Sequence, residues 1–201
     1  DHVVTTSMEH NSVLRPLKAL EKQNITHTIV KGDSRGHIRL QDIAAAIRPE
    51  TRMIVMTAAS NVTGTKTPVE QVGHFAWQKG IWFMVDGAQG AGCMELDVEK
   101  MYMDMLAVPG HKGLLGPLGT GALYIREGVP ARPLLEGGTG TDSKKRRQPE
   151  DFPEGFEAGT INAPAIIALG RSVKFISEAG AEAVGRYEED MIRYAEEDLR
   201  N

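Results

Sequence analysis

Short apolar runs alternate along the chain with segments in which apolar residues recur about every three to four positions. The apolar runs have the β-branched and aromatic composition of buried strands. They cover residues 3–7, 25–30, 52–58, 81–85, 106–108 and 121–125. Strands that alternate with helices favour a mainly parallel sheet covered on both faces, which is an α/β fold.

Helical spacing occurs between these runs and again near the carboxyl end. Gly80 follows one such segment, where a left-handed residue can end a helix. Asn162 can cap a later helix that has Pro164 in its first turn. Residues 132–153 are rich in glycine, proline and charge, including the basic run 144–147, and predict a long solvated loop. The predicted helices cover residues 13–20, 40–47, 68–79, 98–103, 162–176 and 184–194.

Two of the predicted strands end in polar side chains. The run 81–85 is followed by Asp86, and the run 106–108 leads to His111 and Lys112. Open α/β sheets bind their ligands at the carboxyl ends of the strands. A buried carboxylate can keep a pyridine nitrogen protonated, and a lysine in a desolvated, cation-rich pocket has a lowered pKa and can hold an aldehyde as an imine. Asp86 and Lys112 are therefore candidates for a pyridoxal phosphate site.

Five short segments resemble, in the same order, segments of class V aminotransferase-like enzymes, and among these of the cysteine desulfurases and selenocysteine lyases. The resemblance extends over most of the chain. It implies an α/β fold of three layers with a mainly parallel sheet, namely the large domain of the fold type I, aspartate aminotransferase-like transferases. The segments are residues 8–13, 60–65, 85–89, 110–121 and 156–160.

The resemblance also implies roles for individual residues. By similarity, Lys112 holds the cofactor as an imine and removes the α-proton of the substrate, while Asp86 pairs with the pyridine nitrogen. His10 stacks on the ring and moves protons. The other implied cofactor contacts are Asn61 and Gln89 around the ring hydroxyl, His111 at the phosphate, and Thr139 where a dimer partner reaches the phosphate.

The implied activity is that of a pyridoxal 5'-phosphate-dependent cysteine desulfurase, which removes sulfur from L-cysteine to give alanine and a persulfide. A homodimer and a sulfur-acceptor protein are the expected partners. A class V aminotransferase or another lyase with the same cofactor would share Asp86 and Lys112. The choice between sulfur, selenium and amino-group transfer stays open at the level of sequence.

Comparison with the family suggests which parts of the enzyme the chain contains. Residues 1–178 correspond to the cofactor-binding large domain without the phosphate loop expected upstream of His10. Residues 179–201 correspond to a helix leading towards a C-terminal domain that carries the sulfur-accepting cysteine and the substrate-binding arginine. Pro109 replaces a serine of many relatives, which removes a hydroxyl and a backbone donor. We therefore expect no turnover by this chain alone, and a folded scaffold that holds no cofactor is the non-catalytic alternative.

Composition makes several other classes of function improbable. The formal charge of −4, from 23 basic and 27 acidic residues, gives no broad basic surface for nucleic acid. The apolar stretches fall short of the roughly 20 residues that a membrane helix needs, so we expect a cytoplasmic protein with no membrane contact. Cys93 is the single cysteine, so neither an intrachain disulfide nor a multi-cysteine zinc site can form. We expect Cys93 to be a structural thiol and the protein to bind no metal.

A nucleotide-binding domain of the doubly wound type is a further alternative. Such a domain places a glycine-rich loop after its first strand. In this chain the glycines between residues 113 and 121 follow a late strand and lack the Walker pattern. The cofactor hypothesis therefore accounts for more of the strand-end residues.

Overall fold

One sheet of six strands forms the centre of the protein. The computed structural model describes residues 1–140, 144 and 146–200. The sheet order is β2-β1-β3-β4-β5-β6; the first five strands are parallel and β6 runs antiparallel to β5. Each strand lies within one residue of its predicted bounds. The strands are β1 (His2–Thr6), β2 (Thr26–Val30), β3 (Thr51–Thr57), β4 (Trp82–Asp86), β5 (Met105–Pro109) and β6 (Gly121–Ile125).

Helices connect the first four strands in chain order, turns connect β4 to β5, and two further helices follow β6. The Asn162 side chain accepts a hydrogen bond from Ala165 N and so caps the fourth helix, as predicted. Gly80 ends the third helix in the left-handed conformation. The helices are α1 (Asn11–Leu20), α2 (Leu40–Ala45), α3 (Val69–Lys79), α4 (Ala163–Ala179) and α5 (Ala181–Leu199), with single 3-10 turns at Glu21–Gln23 and Glu154–Phe156.

Apolar side chains cover both faces of the sheet, which confirms the three-layer α/β prediction. Successive side chains of a strand point to opposite faces. Val4 of β1 therefore packs in a larger core with residues of α2 and α3, whereas Val3 packs with Leu17 of α1 on the other face. The two cores hold the strand ends in register.

The predicted helix over residues 98–103 is wrong, because this segment forms only turns. Asp97 Oδ1 accepts hydrogen bonds from the backbone N–H groups of Glu99 and Lys100, both at 2.9 Å. Tyr102 then adopts a left-handed conformation with φ of 51°. A non-glycine residue in this region ends a helix, so the segment stops after one turn.

The long loop before α4 agrees with its prediction over the described residues. In residues 132–153, excluding 141–143 and 145, the chain forms no helix or strand. Of the basic run 144–147, Lys145 lies outside the described residues, and the others are exposed. Over the same described part of the chain, none of the helices combines the length and the apolar character needed to cross a membrane.

Candidate active site

A cavity of about 840 Å³ opens at the carboxyl ends of β3, β4 and β5. Parallel strands bring their carboxyl ends to one edge of the sheet, so residues distant in sequence meet there. Among the residues that line this cavity, Asp86 is the one carboxylate and Lys112 the one amine. The predicted site residues that line it are His10, Asn61, Asp86, Gln89, His111 and Lys112.

Asp86 is the last residue of β4 and is buried, with 9% of its surface exposed. Its backbone is held in the sheet, where the carbonyl accepts from Ala58 N at 2.9 Å. Its Oδ1 accepts a hydrogen bond from Ala88 N at 2.9 Å. Within the described contacts Oδ2 remains available to accept a further hydrogen bond. A buried carboxylate of this kind can hold a protonated ring nitrogen.

His10 is the N-cap residue of α1. Its Nδ1 accepts a hydrogen bond from Ser12 N at 3.2 Å and lies 2.9 Å from Ser12 Oγ. Because Nδ1 accepts the backbone N–H, the proton of the neutral ring lies on Nε2. The cap therefore fixes both the position and the tautomer of a ring at the wall of the cavity.

Lys112 lies in a tight loop between β5 and β6. Leu115 N donates to the Lys112 carbonyl at 2.8 Å, and Gly116 N donates to the Gly110 carbonyl at 2.7 Å. The neighbouring loop approaches so closely that a Cβ atom on Gly92 would overlap the Gly113 carbonyl. Glycine is therefore required at this contact, which fixes the Lys112 loop relative to the loop after Asp86.

The surroundings of Lys112 differ from the prediction in one respect. A desolvated lysine is expected from the sequence, but Lys112 and His111 are both exposed in this chain. The cavity is open on this side, and the glycines that flank the pair provide no side chains to cover it. Pro109 is also a lining residue, which agrees with its predicted place beside the site.

Thr139 is not among the residues that line the cavity. It lies in the loop between β6 and α4. Its predicted contact is with a second subunit, so this arrangement leaves that prediction untested.

Sequence reasoning missed Ser12 and Thr57, which both line the cavity. Ser12 had a recognisable signal, because a His-x-Ser pattern at a helix start suits a cap. Thr57 is the last residue of β3 and occupies the same strand-end position as Asp86, with which it pairs in the sheet.

Glu9, another residue that the sequence argument did not single out, is buried behind the cavity. Its Oε1 accepts hydrogen bonds from Thr6 Oγ1 at 2.6 Å and from Thr57 N at 3.0 Å. Burial, with a smaller contribution from the charge of Asp86, raises the pKa of Glu9 to about 7 against the lowering effect of these two donors. The site therefore has a second, interior acid.

Cys93 does not line the cavity and is half-buried. Its Sγ donates to the Gln89 carbonyl at 3.2 Å. Burial raises the pKa of the thiol, and the nearby Glu188 charge raises it further. A raised pKa lowers the thiolate fraction, so these features support the prediction of a structural thiol.

A second cavity of about 540 Å³ lies at the opposite edge of the sheet, near Trp82 and Tyr102. Its buried acid, Asp104, forms an ion pair with Arg126 and accepts from Phe83 N at 2.6 Å. The carboxylate is thus already paired within the fold. In the described part of the chain, no cluster of three or more histidine, cysteine, aspartate or glutamate side chains is arranged to hold a metal ion.

Comparison with known proteins gives the same family at the level of sequence and of structure. The chain is 38% identical over 191 residues to a probable cysteine desulfurase of Methanothermobacter thermautotrophicus, which covers 93% of this chain and 48% of the relative. A probable cysteine desulfurase of Pyrococcus abyssi is 36% identical, with 99% of this chain and 51% of the relative covered. The chain thus spans about half the length of these curated relatives.

Solved structures that are similar to this chain point to the same family. The apo structure of a cysteine desulfurase from Thermococcus onnurineus NA1 superposes with a TM-score of 0.89 at 35% identity, covering 100% of this chain and 51% of that one. The structure of SspA in complex with cysteine gives a TM-score of 0.75 at 34% identity, covering 86% and 47%. The family model described as aminotransferase class-V matches residues 1–201. By sequence, by fold and by the residues gathered at its strand ends, the chain belongs to the class V aminotransferase family.

Proposed function

We propose that this chain forms the cofactor-binding part of a pyridoxal phosphate-dependent cysteine desulfurase. The observation that carries the proposal is the meeting of Asp86, Lys112 and His10 at one cavity: Asp86 ends β4, whereas Lys112 and His10 lie in the segments that follow β5 and β1. The names of the relatives support cysteine as the substrate. In the reaction, cysteine and an acceptor thiol give alanine and a persulfide, so that the C–S bond breaks and an S–S bond forms.

The residues of the cavity fit the cofactor. Asp86 offers a buried carboxylate oxygen for a ring N–H, and Lys112 offers an accessible amine for an aldehyde. Asn61 and Gln89 add amide groups at the wall, and His111 adds a donor beside the lysine loop. The bound cofactor would supply an electron sink that allows bonds at the α-carbon and β-carbon of an amino acid to break.

The protein groups then have separate tasks. The Lys112 amine takes the proton from the substrate α-carbon. The Asp86 carboxylate keeps the proton on the ring nitrogen. His10, whose Nδ1 is occupied by Ser12 N, presents Nε2 for holding or moving a proton near the departing sulfur.

Assembly is also part of the proposal. We propose that the intact protein is a homodimer in which Thr139 reaches the phosphate group held by the other subunit. The place of Thr139 in the loop between β6 and α4, away from its own cavity lining, supports this arrangement. A sulfur-acceptor protein would receive the persulfide sulfur.

The direct test is cofactor attachment. The purified chain is titrated with pyridoxal phosphate, followed by visible absorbance, then reduced with borohydride and mapped by peptide mass. We expect a saturable absorbance change and an adduct on Lys112, both lost in Lys112→Ala. Lys22→Ala, which removes an exposed lysine remote from the cavity, is the matched control and should behave like the unmodified chain. Adducts spread over many lysines, or none at all, would contradict the proposal.

The substrate is tested separately on the intact protein. With cysteine and a reductant, a desulfurase releases alanine and sulfide in equal amounts. Conversion of cysteine to a keto acid instead, with its amino group passed to an acceptor, would show an aminotransferase with the same cofactor site.

A further inference from the structure

Glu9 is an unusual residue for the position it occupies. Only 8% of its surface is exposed, and carboxyl side chains are almost never so buried without a partner of opposite charge. None of the ion pairs among the described residues includes Glu9. Its second oxygen, Oε2, is buried with no hydrogen-bond partner. Burying such a group destabilises the fold, so its place calls for a specific reason.

The contacts of Glu9 join the ends of β1 and β3, and the end of β3 borders the cavity. Oε1 receives a hydroxyl donor from Thr6, at the end of β1, and a backbone donor from Thr57, at the end of β3. Beyond the register of β1 with β3, this is a direct side-chain link between the two ends. His10 follows Glu9 directly, so the link also holds the residue that begins α1.

The link continues towards Asp86. Thr57 Oγ1 donates to the Ala59 carbonyl at 2.8 Å and lies 3.4 Å from the Asp86 carbonyl. Thr57 and Asp86 are also paired in the sheet. Through Thr57, the Glu9 carboxyl group thus links the backbone next to His10 with the backbone of Asp86 by a short series of hydrogen bonds.

We propose that Glu9 is a positioning residue of the cofactor site, whose two-point hold on Thr6 and Thr57 sets the spacing between His10 and Asp86. The inference rests on the proposed function, because it assumes that a flat ring lies between these two residues. The spacing decides whether the ring can contact His10 and the Asp86 carboxylate at once. Glu9 itself touches neither the ring nor the substrate.

The electrostatic surroundings agree with this role. The titratable group that acts on Glu9 is Asp86, on β4; the groups from β1 and β3 are the neutral donors Thr6 and Thr57. Because burial raises the pKa of Glu9 to about 7, the group can be protonated near neutral pH and add no second negative charge behind Asp86. The two-point hold uses only acceptor lone pairs of Oε1, so it persists when Oε2 carries the proton.

The test compares two substitutions of Glu9 that separate side-chain length from charge. Glu9→Gln keeps the side-chain length and an oxygen that can accept from both donors. Glu9→Asp keeps the acid but is one methylene shorter and cannot reach both. Glu70→Gln, at an exposed position in the first turn of α3, is the control for the change of charge. The measurements are the dissociation constant of pyridoxal phosphate, the visible circular dichroism of the bound cofactor, and the urea midpoint of each variant without cofactor.

We expect Glu9→Asp to weaken cofactor binding about ten-fold and to change the visible circular dichroism, while Glu9→Gln stays within about three-fold of the unmodified chain. A loss of affinity in Glu9→Asp that only follows its unfolded fraction, with the dichroism unchanged, would overturn the inference. So would equal behaviour of the two Glu9 variants. Failure of the unmodified chain to bind the cofactor at Lys112 would instead overturn the proposed function, and this inference with it.

Discussion

Two acids beside the cavity, Asp86 and Glu9, differ in their position and in their hydrogen-bond partners. The Asp86 side chain borders the cavity and accepts a hydrogen bond from the backbone N–H of Ala88. Glu9 lies in the interior, and burial raises its pKa to about 7. Acids whose surroundings differ in this way can take different roles in one site. Asp86 can serve the ligand directly, whereas Glu9 serves the protein around it.

The role of Asp86 can be tested by Asp86→Asn. The amide keeps the shape of the side chain but cannot stabilise a protonated ring nitrogen by charge. We expect the affinity for pyridoxal phosphate to fall at least about ten-fold, measured by absorbance titration. Asp97→Asn, an exposed acid whose capping contacts an amide oxygen can also accept, is the control. Equal affinity in the two variants would show that Asp86 does not bind the ring.

The raised pKa of Glu9 predicts a pH dependence of stability. The pKa rises from 4.5 to about 7 on folding, so the folded chain holds this proton more tightly than the unfolded chain. The resulting stabilisation is fully present below pH 4.5 and is lost as the pH rises through 7. Relative to Glu9→Gln, the free energy of unfolding should fall by about 2 kcal/mol between pH 5 and pH 8. Urea denaturation at several pH values measures this difference, and parallel pH profiles would contradict it.

Some of the site could be predicted from single residues and some could not. His10, Asp86 and Lys112 stand where apolar runs stop, so their place at the strand ends follows from the pattern. Glu9 and Thr57 also stand at strand ends, but their pairing depends on which strands become neighbours. β1 and β3 are neighbours in the sheet although β2 lies between them in the sequence. The spacing of apolar residues does not predict the order of the strands.

Among the elements, the connection between β5 and β6 is the one that presents Lys112. Its position is set by the contact between Gly92 and Gly113 and by two side chains of α4, Leu169 and Ser172, that lie against the same loop. The antiparallel direction of β6 follows from this short connection. The sequence argument predicted a mainly parallel sheet without specifying that strand, because an apolar run looks the same in either direction.

Gly92→Ala tests the contact between the two loops. Gly92 has φ of 94° and its Cβ would overlap the Gly113 carbonyl, so the Lys112 loop must move. Gly64→Ala is the matched control, because Gly64 also has a positive φ, 69°, but faces open space. We expect both to lower the free energy of unfolding by about 1 kcal/mol through backbone strain. Only Gly92→Ala should, in addition, slow adduct formation at Lys112; equal rates would contradict the proposed loop contact.

The failed helix at residues 98–103 shows a limit of patterns within one element. The apolar spacing there is real, but Asp97 caps the amide groups that follow it, and Tyr102 takes a left-handed conformation. The spacing of apolar residues predicts which face of a segment is buried, but it does not predict at which residue a helix ends.

Over the whole molecule, the central sheet is buried to a much greater extent than the last helix. Every residue of β1 is buried, whereas Gly185 is the one buried residue of α5. Besides its contact with α4, α5 meets the rest of the chain through Gly185 at the Cys93 loop and through an ion pair of Glu189 with Lys66 at 2.8 Å. An exposed ion pair of this kind contributes little to stability.

Hydrogen exchange can measure this difference. We expect the amides of α5 to exchange on the order of a hundred-fold faster than those of β1 and β3, because local opening of α5 exposes little apolar surface. The comparison is made by mass spectrometry on the native chain, with intrinsic rates divided out. Similar protection of α5 and of the central strands would show that α5 is held by contacts stronger than those described.

Pro109 pairs with Gly121 and so closes the connection between β5 and β6. The segment that carries Lys112 is therefore a self-contained loop that can be replaced as a unit. Both of its ends are held by the same two strands, and no crossover helix runs through it. Residues 110–120 can therefore be exchanged for another loop without changing the order of the strands, provided that the glycine facing Gly92 and the contacts with Leu169 and Ser172 of α4 are kept. The chemistry of this edge is thus separable from the architecture that supports it.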